Sequence, residues 1–357
     1  MTSPGGPRAD GAEASGAGTS GGAVVAGVDS GGSGVRVVLA RVDGGLAAGP
    51  FVSREPVRTG ARGIDAGHLL EQLVPAVRRL LAEAGAAAPV AVAVGAAGMA
   101  TLGDGLRAEL PAALERELGV SRLALAADAV TAYTGALGVR PGAVVAAGTG
   151  LIAVGTDLSG WRRADGWGHL LGDCGGGAWI GRAGLEAALR AHDGRPGGSA
   201  ALLRRAEEVF GPVAELPGRL YPRADRAAVL ASFAPEVADC ARDDPVAAGV
   251  LRAAARHVAE SAAAVCPPSG QPRLAVTGGL VKLGEAFTVP LAEELTRCLP
   301  HARRMPAEGD PLHGAVRIAR ELAAGPLTLP RDARMLRVTV GGRTPSTTAG
   351  TRPPSAP

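Results

Sequence analysis

Apolar runs flank a short glycine turn at two places in the chain, about 120 residues apart. The first turn, residues 29–33, lies between the runs 24–28 and 35–40, and the second, residues 147–150, has apolar runs on both sides. Short apolar runs around a glycine turn predict β-hairpins. The chain therefore contains two hairpins of matching design, one near the start of each half.

The hydrophobic periodicity of the remaining chain predicts alternating helices and strands after each hairpin. In the first half we predict strands at 23–28, 35–41, 45–53, 90–94 and 123–126, and helices at 64–84, 106–118 and 129–137. In the second half we predict strands at 143–155 (the hairpin), 161–163 and 274–277, helices at 177–192, 199–209, 283–298 and 312–322, and helical segments across 225–265.

Three strands followed by alternating helices and strands, begun twice, are typical of the actin-like (ribonuclease H-like) ATPase fold. We therefore predict an α/β protein of two such domains, residues 23–138 and 139–330, with ligand loops at the strand ends that face an interdomain cleft. The tracts at 1–22 and 341–357 are rich in small and polar residues and bury too little apolar surface to offset chain entropy, so we predict disordered tails.

Composition narrows the class of protein. At 357 residues and 46% hydrophobic content, the chain can form a core in each domain, made of Val, Leu and Ala because aromatic residues are only 3%. The formal charge is +3, but the arginines are scattered among acidic residues, so we predict no nucleic-acid partner. Lysine occurs once and asparagine is absent, a bias that makes the arginine content a poor functional clue.

The cysteines and the apolar stretches indicate the compartment. Cys174, Cys240, Cys266 and Cys298 are far apart and have no zinc-type spacing. The first 22 residues lack the apolar segment of a signal peptide, and no later stretch reaches about 18 uninterrupted apolar residues. We therefore expect a soluble, reduced, cytoplasmic protein with no membrane partner.

The glycine turns suit a bound nucleotide. Glycine permits positive φ and lets backbone N–H groups approach a phosphate with no Cβ in the way, and Ser and Thr hydroxyls add donors. A third glycine pair, at 278–279, lies between a predicted strand and helix, where a plain turn is the alternative interpretation. The predicted nucleotide-binding residues are Asp29, Gly31, Gly32, Ser33, Gly148, Thr149, Gly150, Gly278 and Gly279.

Two aspartates follow apolar runs at predicted strand ends. Asp29 can hold Mg²⁺ beside the β and γ phosphates, as phosphoryl transfer requires; the alternative is a residue that only caps its turn. Asp128 can accept the proton of an attacking hydroxyl, because a carboxylate with a pKa near ~4 is ionised at neutral pH. Helix N-capping is the structural role for Asp128, and both roles can hold at once.

The stretch 165–181 is the densest in glycine and tryptophan. Glycines around Trp167 would expose an indole face to the apolar side of a sugar ring, and Asp173 can accept hydrogen bonds from sugar hydroxyls. We predict a substrate site made by Trp167, Gly168 and Asp173, with a core position as the alternative for Trp167. Trp179 is assigned to the core and His169 to a structural role.

Together these residues resemble the BadF/BadG/BcrA/BcrD ATPase family, and within it the N-acetylglucosamine kinase branch of the sugar kinase/Hsp70/actin superfamily. The resemblance spans about residues 23–325, and its most specific part is residues 166–173 followed by 178–181. It implies two phosphate motifs at 29–33 and 148–150, an adenosine motif at 278–279, the base Asp128, and a sugar site lined by Trp167 and Asp173. It further implies a small-molecule sugar substrate, ATP and Mg²⁺, and, by analogy alone, a homodimer.

Some positions depart from the pattern of that family. Leu151 and Ile152 follow the second glycine turn where the family usually has Ser, and Cys174 follows Asp173 where it usually has Glu. Residues 95–98 contain no serine, and the chain has no asparagine for a second sugar contact. The resemblance therefore supports nucleotide binding and the base, and leaves the identity of the sugar open.

Three functions remain after this comparison. The leading one is an ATP-dependent kinase that phosphorylates the 6-hydroxyl of N-acetylglucosamine or a related amino sugar. A non-catalytic, nucleotide-dependent sugar sensor is suggested by Leu151 and Cys174. An activator ATPase of a 2-hydroxyacyl-CoA dehydratase or benzoyl-CoA reductase is disfavoured, because the four cysteines do not match the iron–sulfur ligands of that branch.

Overall fold

A computed structural model of the chain describes residues 22–32, 34–60 and 63–341. Ser33, one of the predicted nucleotide ligands, lies outside the described residues. The predicted disordered tails also lie outside them, apart from Gly22 and Gly341. Within the described part of the chain, no helix is both long enough and apolar enough to cross a membrane.

The first half of the chain forms most of one sheet and the helices that cover it. Its strands are β1 (Val24–Gly31), β2 (Gly34–Arg41), β3 (Leu46–Ser53), β4 (Thr59–Gly60), β5 (Gly63–Ile64), β6 (Ala91–Ala96) and β7 (Arg122–Ala127), and its helices are α1 (Ala66–Ala84), α2 (Met99–Leu102), α3 (Asp104–Leu118) and α4 (Asp128–Leu137). Strand β1 pairs antiparallel with β2 and parallel with β6, and β6 pairs parallel with β7. The carboxyl ends of β1, β6 and β7 therefore lie side by side.

The second half repeats the design with more helix. Its strands are β8 (Gly142–Ala147), β9 (Leu151–Thr156), β10 (Trp161–Asp165), β11 (Arg273–Thr277) and β12 (Arg303–Arg304), and its helices are α5 (Gly177–His192), α6 (Ala200–Phe210), α7 (Leu216–Leu220), α8 (Arg226–Ser232), α9 (Ala234–Cys240), α10 (Pro245–Val265) and α11 (Glu285–Cys298). The sheet order is β10-β9-β8-β11-β12. Both predicted hairpins, β1–β2 and β8–β9, are confirmed.

The last helix and strand return to the first sheet. Helix α12 (Pro311–Ala324) packs across β1, where Gly27 has no side chain: a Cβ there would lie 2.6 Å from the Val316 side chain. Strand β13 (Leu336–Val340) pairs antiparallel with β7 and completes the order β13-β7-β6-β1-β2-β3. The predicted second domain, 139–330, included α12, whereas the apolar stripe of this helix is buried in the hydrophobic core around the first sheet.

Helix α4 connects the two sheets. It packs against β1, β6 and β7 and also against β8, β9 and β11. Its Tyr133 is fully buried and meets Trp161 of β10 edge to face, with 5.4 Å between the ring centroids. Trp161 also donates a hydrogen bond to the carbonyl of Pro330. The amino end of α4 thus lies where the strand ends of the two sheets face each other.

Candidate active site

A cleft of about 460 Å³ lies between the strand ends of the two sheets. Six of the residues predicted from the sequence line it: Asp128, Gly148, Gly150, Gly168, Asp173 and Gly278. Asp29, Gly31, Gly32, Thr149, Trp167 and Gly279 are not among the lining residues. We call the side of the first sheet, where Asp128 lines the cleft and Asp29 lies near it at the end of β1, the first wall. The side with residues 147–150, residues 165–174 and Gly278 is the second wall.

Asp128 stands at the centre of the first wall. It follows β7 directly and begins α4, so Ala127 rather than Asp128 holds the N-cap position. Its carboxylate accepts a 2.9 Å hydrogen bond from the Ala129 N–H. Burial raises the pKa of Asp128, and the negative charge of Asp29 raises it further, whereas the charge of Arg163 opposes the shift. A carboxylate with a raised pKa is a stronger proton acceptor, which suits a general base.

Asp29 is held by an arginine that the sequence interpretation did not select. Asp29 and Arg36 are directly opposite in the β1–β2 hairpin, and Nε and Nη2 of Arg36 donate to Asp29 Oδ2 at 3.0 and 2.7 Å. The third nitrogen, Nη1, donates at 2.6 Å to Asp310, the N-cap residue of α12. Arg36 therefore joins the predicted metal ligand to the last helix and neutralises part of the charge on the first wall.

The second glycine turn is fastened to the start of α5. The N–H groups of Gly177 and Ala178 donate to the carbonyls of Gly148 and Thr149, each at 2.8 Å. A Cβ on Gly150 would overlap the Asp173 carboxylate. The close approach of the Asp173 side chain therefore favours glycine at position 150, and the two backbone hydrogen bonds hold the turn against the start of α5.

Positive φ, which was expected in the two hairpin turns, is found at none of the described glycines assigned to nucleotide binding there. Of the described glycines assigned to nucleotide binding, Gly278 is the one with φ in the left-handed region, at +98°, and a Cβ there would overlap the Ala147 carbonyl. In the first turn the positive φ belongs to Gly34, at +122°. Gly31 and Gly32 have open space around them. The element after Gly278 is a five-residue 3-10 helix, Gly279–Leu283, followed by α11.

The loop at residues 165–174 brings Asp173 into the cleft. The Asp173 carboxylate accepts a 3.0 Å hydrogen bond from the Gly168 N–H, and burial raises its pKa. Trp167 is 66% exposed, and the guanidinium carbon of Arg163 lies 5.0 Å from the centre of its ring. The exposed indole excludes the core alternative for Trp167. Trp179 is partly buried against the hydrophobic core around the second sheet, as predicted, and meets His257 edge to face.

Arg36, Arg163 and Asp165 are the residues that the sequence interpretation missed. Arg163 lines the cleft and donates to the carbonyls of Asp165 and Gly166. Asp165 accepts from the backbone N–H groups of Asp173 and Cys174. The signal for Arg36 was present, since a hairpin that pairs Gly31 with Gly34 must place position 36 opposite Asp29. The roles of Arg163 and Asp165 depend on the conformation of the loop at 165–174, which no local sequence pattern predicts.

Few side chains in the described part of the chain could bind a metal ion together. Among the described residues, no group of three or more His, Cys, Asp or Glu side chains could hold a metal. Asp29 offers a carboxylate at the end of β1, and both hydrogen bonds from Arg36 fall on Oδ2, so Oδ1 does not take part in that pairing. Mg²⁺ in phosphoryl-transfer sites usually has one or two protein carboxylates and otherwise water and phosphate ligands. One carboxylate beside glycine turns fits that ion.

Two ribonuclease H-like units that face each other across a cleft define the class of the actin-like ATPases. The chain belongs to the BadF/BadG/BcrA/BcrD ATPase family, whose sequence profile matches residues 26–316. This agrees with the resemblance in the glycine turns and in the tryptophan-containing stretch.

Three relatives show how near the match is. An N-acetylmuramic acid/N-acetylglucosamine kinase of Clostridium acetobutylicum is 39% identical over 82 residues, which are 22% of this chain and only 27% of that protein. A structure from Chromobacterium violaceum, provisionally named an N-acetylglucosamine kinase, has a TM-score of 0.59 at 29% identity and covers 85% of this chain and 99% of its own. A similarly named Porphyromonas gingivalis structure, at 17% identity, covers 84% and 99% with a TM-score of 0.60, which shows the fold alone.

Proposed function

We propose that the protein is an ATP-dependent kinase that transfers the γ-phosphoryl group to the 6-hydroxyl of N-acetylglucosamine or a related amino sugar. The observation that carries the proposal is the position of Asp128 in one cleft with the second glycine turn and Asp173. In this proposal one cleft would contain a proton acceptor, a turn that binds phosphate and a hydrogen-bond acceptor for the sugar hydroxyls. The names of the relatives from Clostridium acetobutylicum and Chromobacterium violaceum support the choice of sugar.

In the proposed reaction the first wall supplies the proton acceptor, the second wall binds the sugar, and both walls contribute to the nucleotide site. Asp173 and the exposed indole of Trp167 bind the sugar, and the glycine turns with Gly278 bind the nucleotide. Asp128 takes the proton from the sugar hydroxyl while the oxygen forms its bond to the γ-phosphorus and the bond to the β-phosphate oxygen breaks. ADP leaves with that oxygen. Closure of the cleft would align the two substrates and exclude water.

Asp29 would hold Mg²⁺, directly or through water. The ion would supply charge neutralisation for the phosphate oxygens when bound. Arg36 competes for the same carboxylate, because its hydrogen bonds to Asp29 reduce the charge available to a cation. Asp310 offers Arg36 a second partner, so the guanidinium can stay bound in the first wall when Asp29 turns to a metal.

The decisive experiment measures ADP release with Mg-ATP and a panel of sugars: N-acetylglucosamine, glucosamine, N-acetylmannosamine, N-acetylmuramic acid and glucose. The control variant is Asp128→Asn, which keeps the volume and the acceptor for the Ala129 N–H. We expect a strong signal with one sugar and none in the variant. Equal turnover by the variant would refute the role of Asp128, and silence with every sugar would refute the kinase.

A nucleotide-dependent sugar sensor is the second candidate. The observation that favours it is the pairing of Arg36 with Asp29, which occupies the predicted metal ligand. A sensor would bind the sugar tightly, in a manner that depends on nucleotide, and would release no ADP. Calorimetry with the same sugars, in the presence of ADP or a non-hydrolysable ATP analogue, separates the two candidates.

A further inference from the structure

Two aspartates in the second wall have a backbone conformation that is unusual for residues with a side chain. Asp165 has φ of +58° and Asp173 has φ of +56°, and Leu158 is the one other non-glycine residue with positive φ in the described chain. Left-handed backbone at a residue with a Cβ is costly and persists where the surroundings hold it. Both residues belong to the loop at 165–174 and lie near its two ends. Contacts between these two ends should therefore hold the loop in this conformation.

The carboxylate of Asp165 holds it. Oδ1 accepts a 2.6 Å hydrogen bond from the Asp173 N–H, and Oδ2 accepts a 2.9 Å hydrogen bond from the Cys174 N–H. One side chain at the end of β10 therefore binds the backbone eight and nine residues further on. Gly172 makes room for this contact, since a Cβ there would lie 2.5 Å from Asp165 Oδ1.

The hydrogen bonds to Asp165 fix the position of Asp173 in the cleft. Asp173 is held from several sides: its N–H donates to Asp165, its carbonyl accepts from the Gly176 N–H at 2.9 Å, and its carboxylate accepts from the Gly168 N–H. That carboxylate also lies against Gly150 of the second glycine turn. Movement of the Asp173 backbone would therefore change both the proposed sugar contact and the surface beside the proposed phosphate site.

We propose that Asp165 is a positioning residue, which closes the loop at 165–174 and thereby sets the Asp173 carboxylate and the Trp167 ring for the sugar. The inference rests on the proposed function as far as the sugar is concerned. An aspartate suits the position because its two carboxylate oxygens accept both N–H groups. An asparagine can accept one of the two N–H groups but turns an NH₂ donor toward the other, and an alanine leaves both without their acceptor.

The chain offers a matched control. Asp157 also accepts from nearby donors, the N–H and Oγ of Ser159, and it lies at the exposed turn after β9 in the same sheet. The test compares Asp165→Ala and Asp165→Asn with Asp157→Ala in the full chain. The measurements are amide hydrogen exchange at residues 168–176, and the affinity for N-acetylglucosamine, for N-acetylmuramic acid and for ADP by calorimetry.

Loss of both hydrogen bonds in Asp165→Ala should remove exchange protection at Asp173 and Cys174. Sugar binding should weaken about tenfold or more, because the sugar would have to re-form a closed loop that has lost two hydrogen bonds. In turnover assays the KM for the sugar should rise more than kcat falls. Asp165→Asn should lie between wild type and Asp165→Ala, and Asp157→Ala should match wild type. ADP affinity should change little, which separates a shifted sugar site from general unfolding.

Two results would overturn the inference. Wild-type exchange protection in Asp165→Ala would show that another contact closes the loop, and lost protection with unchanged sugar affinity would show that closure does not position the sugar site. The exchange arm needs no substrate. If the wild-type protein binds no sugar at all, the proposed function fails, and the exchange data still decide whether Asp165 closes the loop.

Discussion

The glycine turns on the two walls of the cleft have different surroundings. The first wall carries charge, with Asp29, Arg36 and Asp128 close together and open space around Gly31 and Gly32. The second wall is packed: its glycine turn is fastened to α5, and Gly150 and Gly278 are pressed against neighbouring segments. Similar glycine-rich sequences thus mark two different environments. Glycine substitutions should therefore act through packing on the second wall, whereas the main effects on the first wall should come from its charged side chains.

The largest effect is expected from the charge at the centre of the first wall. Asp128→Asn should lower kcat by about 10²- to 10⁴-fold, the usual contribution of a general base, and leave ADP affinity nearly unchanged. Steady-state kinetics with the best sugar, together with ADP calorimetry, measures both quantities. A variant that loses nucleotide affinity as much as turnover would assign Asp128 to binding instead.

Next in size is a packing effect on the second wall. Gly278→Ala places a Cβ at φ of +98° and against the Ala147 carbonyl, so unfolding free energy should fall by about 2 kcal/mol or more. Gly279→Ala is the neighbouring control, because it has open space. Denaturant titration of both variants makes the comparison. Equal stability would mean that the second wall is not packed as described.

A third comparison tests one glycine from each wall. Gly150→Ala directs a Cβ at the Asp173 carboxylate and should weaken sugar binding about tenfold, within the range for a crowded site. Gly32→Ala meets no atom within 4 Å and should bind sugar as wild type does. Calorimetry with the preferred sugar gives both values. A stronger effect at Gly32 would reverse the assignment of packing to the second wall.

A smaller effect is expected when the ion pair of the first wall is removed. Arg36→Met frees Asp29, so the half-saturating Mg²⁺ concentration should fall about two- to fivefold, the usual range for a partly exposed ion pair. Arg320→Met is the control, since Arg320 also joins α12 to the β2 end but binds only backbone carbonyls. Activity measured over a magnesium series gives the result. An unchanged requirement would place the metal away from Asp29.

The smallest effect concerns stability and pH. The raised pKa of Asp128 means that the folded protein holds this proton more tightly than the unfolded chain. Its contribution to stability is therefore lost as pH rises from about 4 through the raised pKa. Asp128→Asn should raise the melting temperature at neutral pH, and the gain should vanish below pH ~4. Calorimetric scans across that window check the sign, and a gain that persists in acid would exclude ionisation as its cause.

Most of the helices and strands that were predicted correctly could be recognised from patterns within a short stretch of sequence. Helix α1 was recognisable from its apolar stripe, and it begins after the N-cap Asp65 and ends at Gly85 in the left-handed conformation. Strand β13 was not predicted, because its five residues acquire their place only by pairing with β7, about 200 residues earlier. The site follows the same rule. Asp128 could be found at a strand end, whereas Asp165 acts through a loop closure that only the folded backbone defines.

The return of α12 and β13 to the first sheet has a consequence for biosynthesis. A ribosome releases the chain from its amino end, so β1 to β7 emerge long before the segment that covers β1 and extends the sheet beyond β7. The second sheet, in contrast, has all its strands once residue 304 has emerged. Although domains generally fold amino-terminal first during synthesis, the unit that is made first here is finished last. Its apolar surface stays uncovered until residues 311–340 have emerged, and a chaperone would have most to protect during that interval.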